Sequence, residues 1–369
     1  GTMNKLPLLM SAIVLTGHGG LDKLVYRQDF PVPSPGSGDV LIEVTACGLN
    51  NTDVWVRQGA YGTDENPEAV ASWRRTASDE TLTFPRIQGA DSVGKIVGVG
   101  AGVSAQRLGE RVMVDFSIYN DDGDSLANID YIGHGRDGGF AEYVVVPEEN
   151  AYLVSNDLTD AELATFCCAY LTGEHMLDRA QVEAGERVLI SGASGGVGSG
   201  LIQLCRARGA IPYALTSEAK LEAVKALGVE AAINRESLNL VEAVNQQLAG
   251  KSVDVVADLV GGQLFNSMLQ VLRPEGRYTT AGAIGGAIVQ LDLRTIYLKH
   301  LTIHGSSQGT RGAFQRLIQY INEGKIRPIL DSKFKLSEFH KAQTYFMEKK
   351  FIGKVVVVPD AKWTDTALA

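Results

Sequence analysis

Cysteine is scarce. The 369 residues hold four, Cys47, Cys167, Cys168 and Cys205, with no CxxC pair and no dense framework. That excludes a disulfide scaffold, and four scattered thiols in a chain this size read as reduced, in a cytoplasmic protein. No apolar run reaches the ~18 residues of a membrane span. Leu6-Pro7-Leu8-Leu9-Met10 is apolar, but no small-residue cleavage site follows it. It reads as the approach to a first strand, Ala12 to Leu15, rather than as a signal-peptide core. Basic excess is missing too. The formal net charge is −9 with no Lys/Arg cluster, which argues against nucleic acid as a partner because phosphate binding needs cationic surplus. There is no internal repeat and no low-complexity tract.

What remains is a globular composition, 45% hydrophobic and 21% charged with 41 glycines, in a chain long enough for two domains. Residues 12–155 read as β-rich. Val40 to Val44, Gly94 to Gly98, Arg111 to Val114 and Ala141 to Pro147 are strand-like, and Pro35-Gly36 and Asp121-Asp122-Gly123 punctuate them. From Asp160 the period changes. Helix-like stretches alternate with short apolar runs at 188–191, 211–215, 253–258, 277–281 and 301–305, which predicts an α/β, doubly wound parallel sheet. A helix from Ala313 to Glu323 and a closing strand from Lys354 to Val358 follow. The polar segments 62–83 and 119–137 are long for connections; such loops are either disordered or border a site.

One run carries chemistry. Val188-Leu189-Ile190-Ser191 leads into Gly192-Ala193-Ser194-Gly195-Gly196-Val197-Gly198, and an apolar-periodic segment from Leu201 to Arg208 follows. Strand, tight turn and helix in that order form the dinucleotide fingerprint, with Ala193, Gly195 and Gly198 in its three positions. Glycine lets a backbone approach a pyrophosphate closely and present N–H groups at a helix N-terminus. The cofactor's ribose is read at the end of the next strand, where NAD-preferring proteins place a carboxylate. Here that strand ends in Thr216-Ser217, with Glu218 one residue on and Lys220 beyond. Hydroxyls and a lysine suit a 2′-phosphate, so NADP(H) is favoured over NAD(H). Thr216 or Ser217 could equally cap a helix over 218–227.

These pieces stand in a specific order with others: Gly48 to Asp53, Gly89 to Gly94, Gly138 to Tyr143, Asp258 to Gly262, Gly305 to Arg311 and Gly353 to Val356. In that order the chain resembles the medium-chain dehydrogenase/reductase superfamily, in its zinc-independent quinone oxidoreductase branch. The resemblance implies a Rossmann domain over 156–302 set between the two parts, 3–155 and 303–369, of a β-rich GroES-like catalytic domain. It implies an NADP(H) site built from Ser194 to Gly198, Thr216, Ser217, Lys220, Val260 and Ser307. Arg311 and Lys354 would meet the cofactor's phosphates or edge, and Gly282-Ala283 would leave room for the nicotinamide. Thr172 either bonds near the carboxamide or bonds its own helix backbone.

Zinc relatives hold their metal with a cysteine, a histidine and a third side chain. Here Asn50 stands for the cysteine and Ala90 for the histidine; only Cys168 matches. One thiolate cannot fix catalytic Zn²⁺, which takes three protein ligands, and 92–140 lacks the four cysteines of a structural lobe. The chemistry then runs on hydrogen bonds and cofactor geometry, and the resemblance implies hydride transfer to a quinone or α,β-unsaturated carbonyl compound, the alternatives being a zinc-type alcohol dehydrogenase and a non-catalytic, crystallin-like NADPH-binding protein. Catalytic candidates are Asn50, Asp53, Trp55 and Tyr61. Asn50 offers an amide donor to the growing oxyanion, and Tyr61 or water offers a proton. Trp55 stands where many relatives carry tyrosine, and an indole donates without supplying a proton. Asn51 or Thr52 could simply cap a helix over 53–58, with Asp53 at its positive end. The resemblance further implies a homodimer joined near 284–292, where Ala287-Ile288-Val289 is either an interface run or a core strand.

Overall fold

The computed structural model describes residues 5–60, 82–119 and 130–365. Tyr61, residues 62–81 and residues 120–129 lie outside the described residues.

The first stretch of chain is mostly strand: β1 (Leu9–Leu15), β2 (Leu24–Pro31), β3 (Asp39–Gly48), β4 (Asp91–Val99), β5 (Arg111–Val114), β6 (Ser117–Ile118), β7 (Asp130–Tyr131), β8 (Tyr143–Pro147) and β9 (Ala151–Leu153). Between β3 and β4 lies helix α1 (Asn51–Gln58), and after β9 come α2 (Asp160–Leu163) and α3 (Cys167–Arg179). The second stretch alternates: β10 (Arg187–Ile190), α4 (Gly196–Ala207), β11 (Ile211–Thr216), α5 (Leu221–Lys225), β12 (Ala231–Asn234), α6 (Leu240–Leu248), β13 (Val253–Asp258), α7 (Phe265–Val271), β14 (Leu272–Thr280), α8 (Leu293–Lys299), β15 (Thr302–Gly305) and α9 (Arg311–Asn322). The chain closes with β16 (Leu330–Lys335), α10 (Phe339–Glu348) and β17 (Lys354–Val358).

One compact unit contains Gly1–Cys168, Pro328–Lys350 and Lys354–Ala369; the other contains Ala169–Arg327 and Phe351–Gly353. The compact units thus divide at 168/169 and 327/328, where the sequence reading set 155/156 and 302/303. β15 pairs in parallel with β14, from Arg277↔Thr302 to Thr280↔Gly305, so it completes the alternating sheet. α9 stays with that sheet because Arg316 donates to Glu174 of α3 at 2.5 Å, and Glu174 is wholly buried.

In the alternating unit the six strands run in the order β12-β11-β10-β13-β14-β15. All are parallel, and the chain reverses direction across the sheet between β10 and β13. That is the doubly wound order with its switch point beside the first strand. Leu189, Leu215, Val244, Val256, Met268 and Leu269 form part of its apolar core. Parallel strands covered on both faces need near-continuous apolar runs, and Val188-Leu189-Ile190 and Val253 to Ala257 supply them.

In the other unit a sheet runs β16-β17-β3-β4-β5-β9, with β8 also on β3. Its registers build the polar cluster described below. β4 sets Asp91 opposite Gly48, and β17 sets Val356 opposite Gly48 from the other side. The residues just after β3, just before Val356 and at the start of β4 therefore converge. Helix α1 begins earlier than the 53–58 reading: Asn50 is its N-cap, and Asn51 accepts a hydrogen bond from Lys349 instead of capping. The predicted helix over 218–227 is a 3₁₀ turn at Glu218–Lys220 followed by the five residues of α5.

Candidate active site

The fingerprint turn joins β10 to α4. A Cβ on Gly198 would lie 2.0 Å from the Gly192 carbonyl oxygen, so glycine alone lets the first turn of α4 press against the strand end. Gly195 differs. A Cβ there would meet only the Gly192 oxygen, at 3.6 Å, and its φ of −73° suits any residue. The fold does not need glycine at 195, the position of the fingerprint whose glycine allows close approach to a pyrophosphate. The N–H groups of Gly196, Val197 and Gly198 open α4 and have no intrahelical acceptor, and no side chain caps them. A positive helix end with free donors is an anion site.

Behind the turn stands a fully buried carboxylate, Asp258. It accepts from Ser191 Oγ at 2.5 Å, Tyr278 OH at 2.5 Å and the Val260 N–H at 2.9 Å. Burial and this carboxylate push the Tyr278 phenol far up. The arrangement locks the ends of β10, β13 and β14 together. Val260 is half-buried beside it, and the Gly285 N–H donates to the Val260 carbonyl at 2.8 Å, which holds Gly282 and Ala283 along the same carboxyl edge.

At the next strand end the structure separates Thr216 from Ser217. Thr216 is buried, 2% exposed. Ser217 is half-buried and makes no capping bond. Lys220 Nζ lies 3.4 Å from Ser194 Oγ. Beyond β12, Arg235 donates its N–H to the Thr216 carbonyl at 3.0 Å. Its exposed guanidinium pairs with no carboxylate among the described residues. Burial, and next Arg235, lower the Lys220 ammonium from its ordinary range. The sequence reading missed Arg235, because the short run Ala231-Ala232-Ile233-Asn234 was not recognised as a strand.

Further along the carboxyl edge, the segment after β15 is held by His175 of α3, whose Nδ1 lies 3.1 Å from the Ser307 carbonyl and 3.2 Å from Ser306 Oγ. Burial lowers this imidazole's pKa and favours its neutral form. Ser307 is exposed, and Thr172 and Arg311 are half-buried.

The second cluster belongs entirely to the β-rich unit. Asn50 is 8% exposed. Its Nδ2 donates to Asp91 Oδ2 at 3.1 Å, and its Oδ1 accepts from Lys354 Nζ at 2.5 Å. Lys354 Nζ also donates to the Leu49 carbonyl at 2.7 Å and lies 3.1 Å from Asp91 Oδ2. Asp91 Oδ1 accepts the Cys168 N–H at 2.7 Å. Asp53 is 2% exposed and accepts the Asn50 N–H at 2.8 Å. Burial pushes its carboxyl up to about 7; the Asn50 bond opposes this and Asp91 adds to it. Lys354, expected at the cofactor's phosphates or edge, lies in this cluster. An ammonium has three N–H groups, and three oxygens of its own unit already surround it. Trp55 is half-buried on α1, and Tyr61 lies outside the described residues.

Comparison with known proteins agrees with both halves of this geometry. Residues 36–156 match the family model of the alcohol dehydrogenase GroES-like domain, and residues 196–323 match that of zinc-binding dehydrogenases. A crystal structure from Sinorhizobium meliloti 1021, described as a "putative alcohol dehydrogenase", is 64% identical with a TM-score of 0.92, over 96% of this chain and 98% of that one. The chain belongs to the medium-chain dehydrogenase/reductase superfamily. Among curated relatives, the human synaptic vesicle membrane protein VAT-1 homolog is 29% identical over 95% of this chain and 87% of its own length. Rat quinone oxidoreductase is 28% identical over 95% and 98%.

Members of this superfamily are nicotinamide-dependent oxidoreductases, and the fingerprint turn fits that cofactor: it has a ligand-side glycine, three open N–H donors and two nearby cations. Catalytic zinc does not fit these residues. Asn50 Oδ1 is already bonded to an ammonium, Ala90 offers no donor atom, and among the described residues no three His, Cys, Asp or Glu side chains could hold a metal ion.

Proposed function

We propose that this member of the superfamily is a zinc-independent, NADPH-dependent reductase of quinones or α,β-unsaturated carbonyl compounds. The observation that carries the reading is the amide of Asn50, a buried hydrogen-bond donor where zinc relatives place a metal ligand. When bound, the reduced dinucleotide supplies a hydride to the substrate's electrophilic carbon. The protein's own residues do the rest. Gly196, Val197 and Gly198 hold the pyrophosphate by their N–H groups. Ser217, Lys220 and Arg235 hold the 2′-phosphate; Arg235 bears on Lys220 as a like charge, and an anion between two cations relieves their repulsion. Thr172, Val260, Gly282, Ala283, Ser307 and Arg311 surround the remainder of the cofactor. Asn50 Nδ2 donates to the carbonyl oxygen as negative charge grows on it, Trp55 shapes an aromatic wall, and Tyr61 or water returns the proton.

The test is NADPH oxidation against a simple quinone and a short enone, with NADH as control and zinc measured in the same preparation. Turnover with NADPH and sub-stoichiometric zinc supports the reading. Stoichiometric zinc with alcohol oxidation would replace it by the alcohol dehydrogenase reading that the Sinorhizobium relative suggests.

The protein also works as a homodimer in this reading. Ala287-Ile288-Val289 is not a core strand: Ile288 is 94% exposed, and Leu293, Tyr297 and Leu298 are exposed with it. Such an exposed apolar surface suits an isologous contact. Ile288→Glu combined with Leu298→Glu should shift the mass measured by light scattering from dimer to monomer. A wild-type monomer at micromolar concentration would remove this part.

A further inference from the structure

We propose that Lys354 is a positioning residue for the Asn50 amide, setting which end of it faces the substrate and how strongly it donates. The inference rests on the reductase reading above.

An asparagine amide is nearly symmetric in shape, and a half-turn about its last bond exchanges oxygen and nitrogen. At this site only one orientation works, because the developing oxyanion needs N–H. An ammonium can only donate, so Lys354 selects Oδ1, at 2.5 Å. A carboxylate can only accept, so Asp91 selects Nδ2, at 3.1 Å. The two contacts agree on one orientation. One Nδ2 hydrogen goes to Asp91, and the second makes no hydrogen bond with any described residue, which leaves it for a ligand.

The ammonium does two further things. Bonded to the amide oxygen, it draws electron density away from Nδ2–H and strengthens that donor, as charge-assisted bonds in series do. Lying 3.1 Å from Asp91 Oδ2, it also neutralises a wholly buried carboxylate that would otherwise oppose negative charge growing on the substrate. The placement is a product of register. β17 brings Val356 opposite Gly48, and Lys354, two residues earlier, then reaches the Leu49 carbonyl and Asn50 at the mouth of α1.

The test is a double-mutant cycle on the full-length protein with NADPH and the quinone as acceptor. Asn50→Ala, Lys354→Met and their combination are compared for kcat and for NADPH Kd from fluorescence titration. Each single change should lower kcat by about 100–1,000-fold, the scale of losing one oxyanion donor. The double variant should fall no more than about threefold below Asn50→Ala, since both act through one group. NADPH Kd should stay within about twofold, because no phosphate contact is lost. Lys354→Arg should recover part of kcat. Lys354→Met with Asp91→Asn, which buries no lone charge, should fold and match Lys354→Met. A Lys354→Met enzyme with unchanged kcat and an NADPH Kd raised about tenfold would make Lys354 a phosphate ligand and end the proposal. Losses that multiply in the double variant would end it too. Full kcat in Asn50→Ala would instead overturn the reductase reading's donor, and the two failures are thereby told apart.

Discussion

Asp53→Asn should reshape the pH dependence of stability. Asp53 is buried, and its carboxyl is raised from 3.8 to about 7. The folded state therefore holds its proton over a range in which the unfolded chain has lost it. Stability from this group is greatest below the unfolded pKa and declines as pH rises, levelling off above about 7. A displacement of roughly 3 pH units corresponds to about 4 kcal/mol over the whole range, of which about 2–3 kcal/mol falls between pH 5 and 8. Asparagine cannot ionise, and its Oδ1 can still accept the Asn50 N–H. Relative to wild type, Asp53→Asn should therefore gain about 2–3 kcal/mol on going from pH 5 to pH 8. Urea melts at unit pH intervals, followed by tryptophan fluorescence, measure this directly, since Trp55 and Trp363 belong to the same unit as Asp53. Wild-type and variant curves that run parallel from pH 5 to 8 would refute the reasoning.

Other outcomes follow from the same geometry. Gly195→Ala should leave the melting temperature within a degree or so, yet weaken NADPH binding about tenfold or more, because its methyl enters ligand space only. Gly198→Ala should cost several kcal/mol of stability through the 2.0 Å clash with Gly192; equal melting temperatures for the two variants would contradict this contrast. Arg235→Ala and Lys220→Ala should each raise NADPH Kd by about 10–100-fold, the worth of one charge-assisted bond, and leave NADH Kd unchanged. Equal losses for both cofactors would mean that neither cation reads the 2′-phosphate.

Much of this was legible along the chain because it is local. A β-branched run, a glycine turn and an apolar-periodic segment are contiguous, so the strand–turn–helix unit around Gly195 could be read directly. The closing strand, Lys354 to Val358, coincides with β17. Short strands of ordinary composition escaped, as with Ala231–Asn234 and with Leu330–Lys335, which is half-buried throughout. With β12 unseen, Arg235 had no reason to stand out.

The helix start at Asn50 was one residue from the anticipated caps, because the side chain that would have capped was bound elsewhere. That is the broader division. Sequence alone determined the parallel sheet and the glycine turn, since each depends on the conformational preferences of neighbouring residues, and the order of its motifs carried the resemblance to the superfamily. Tertiary structure decided what the charged side chains do. Asn50, Asp91 and Lys354 are separated by 41 and 263 positions, and only the registers of β4 and β17 against β3 bring them together. Lysine in isolation reads as a solvated surface group or a phosphate ligand. Here it is 3% exposed, held beneath an asparagine by three oxygens, because two antiparallel pairings end at the same place.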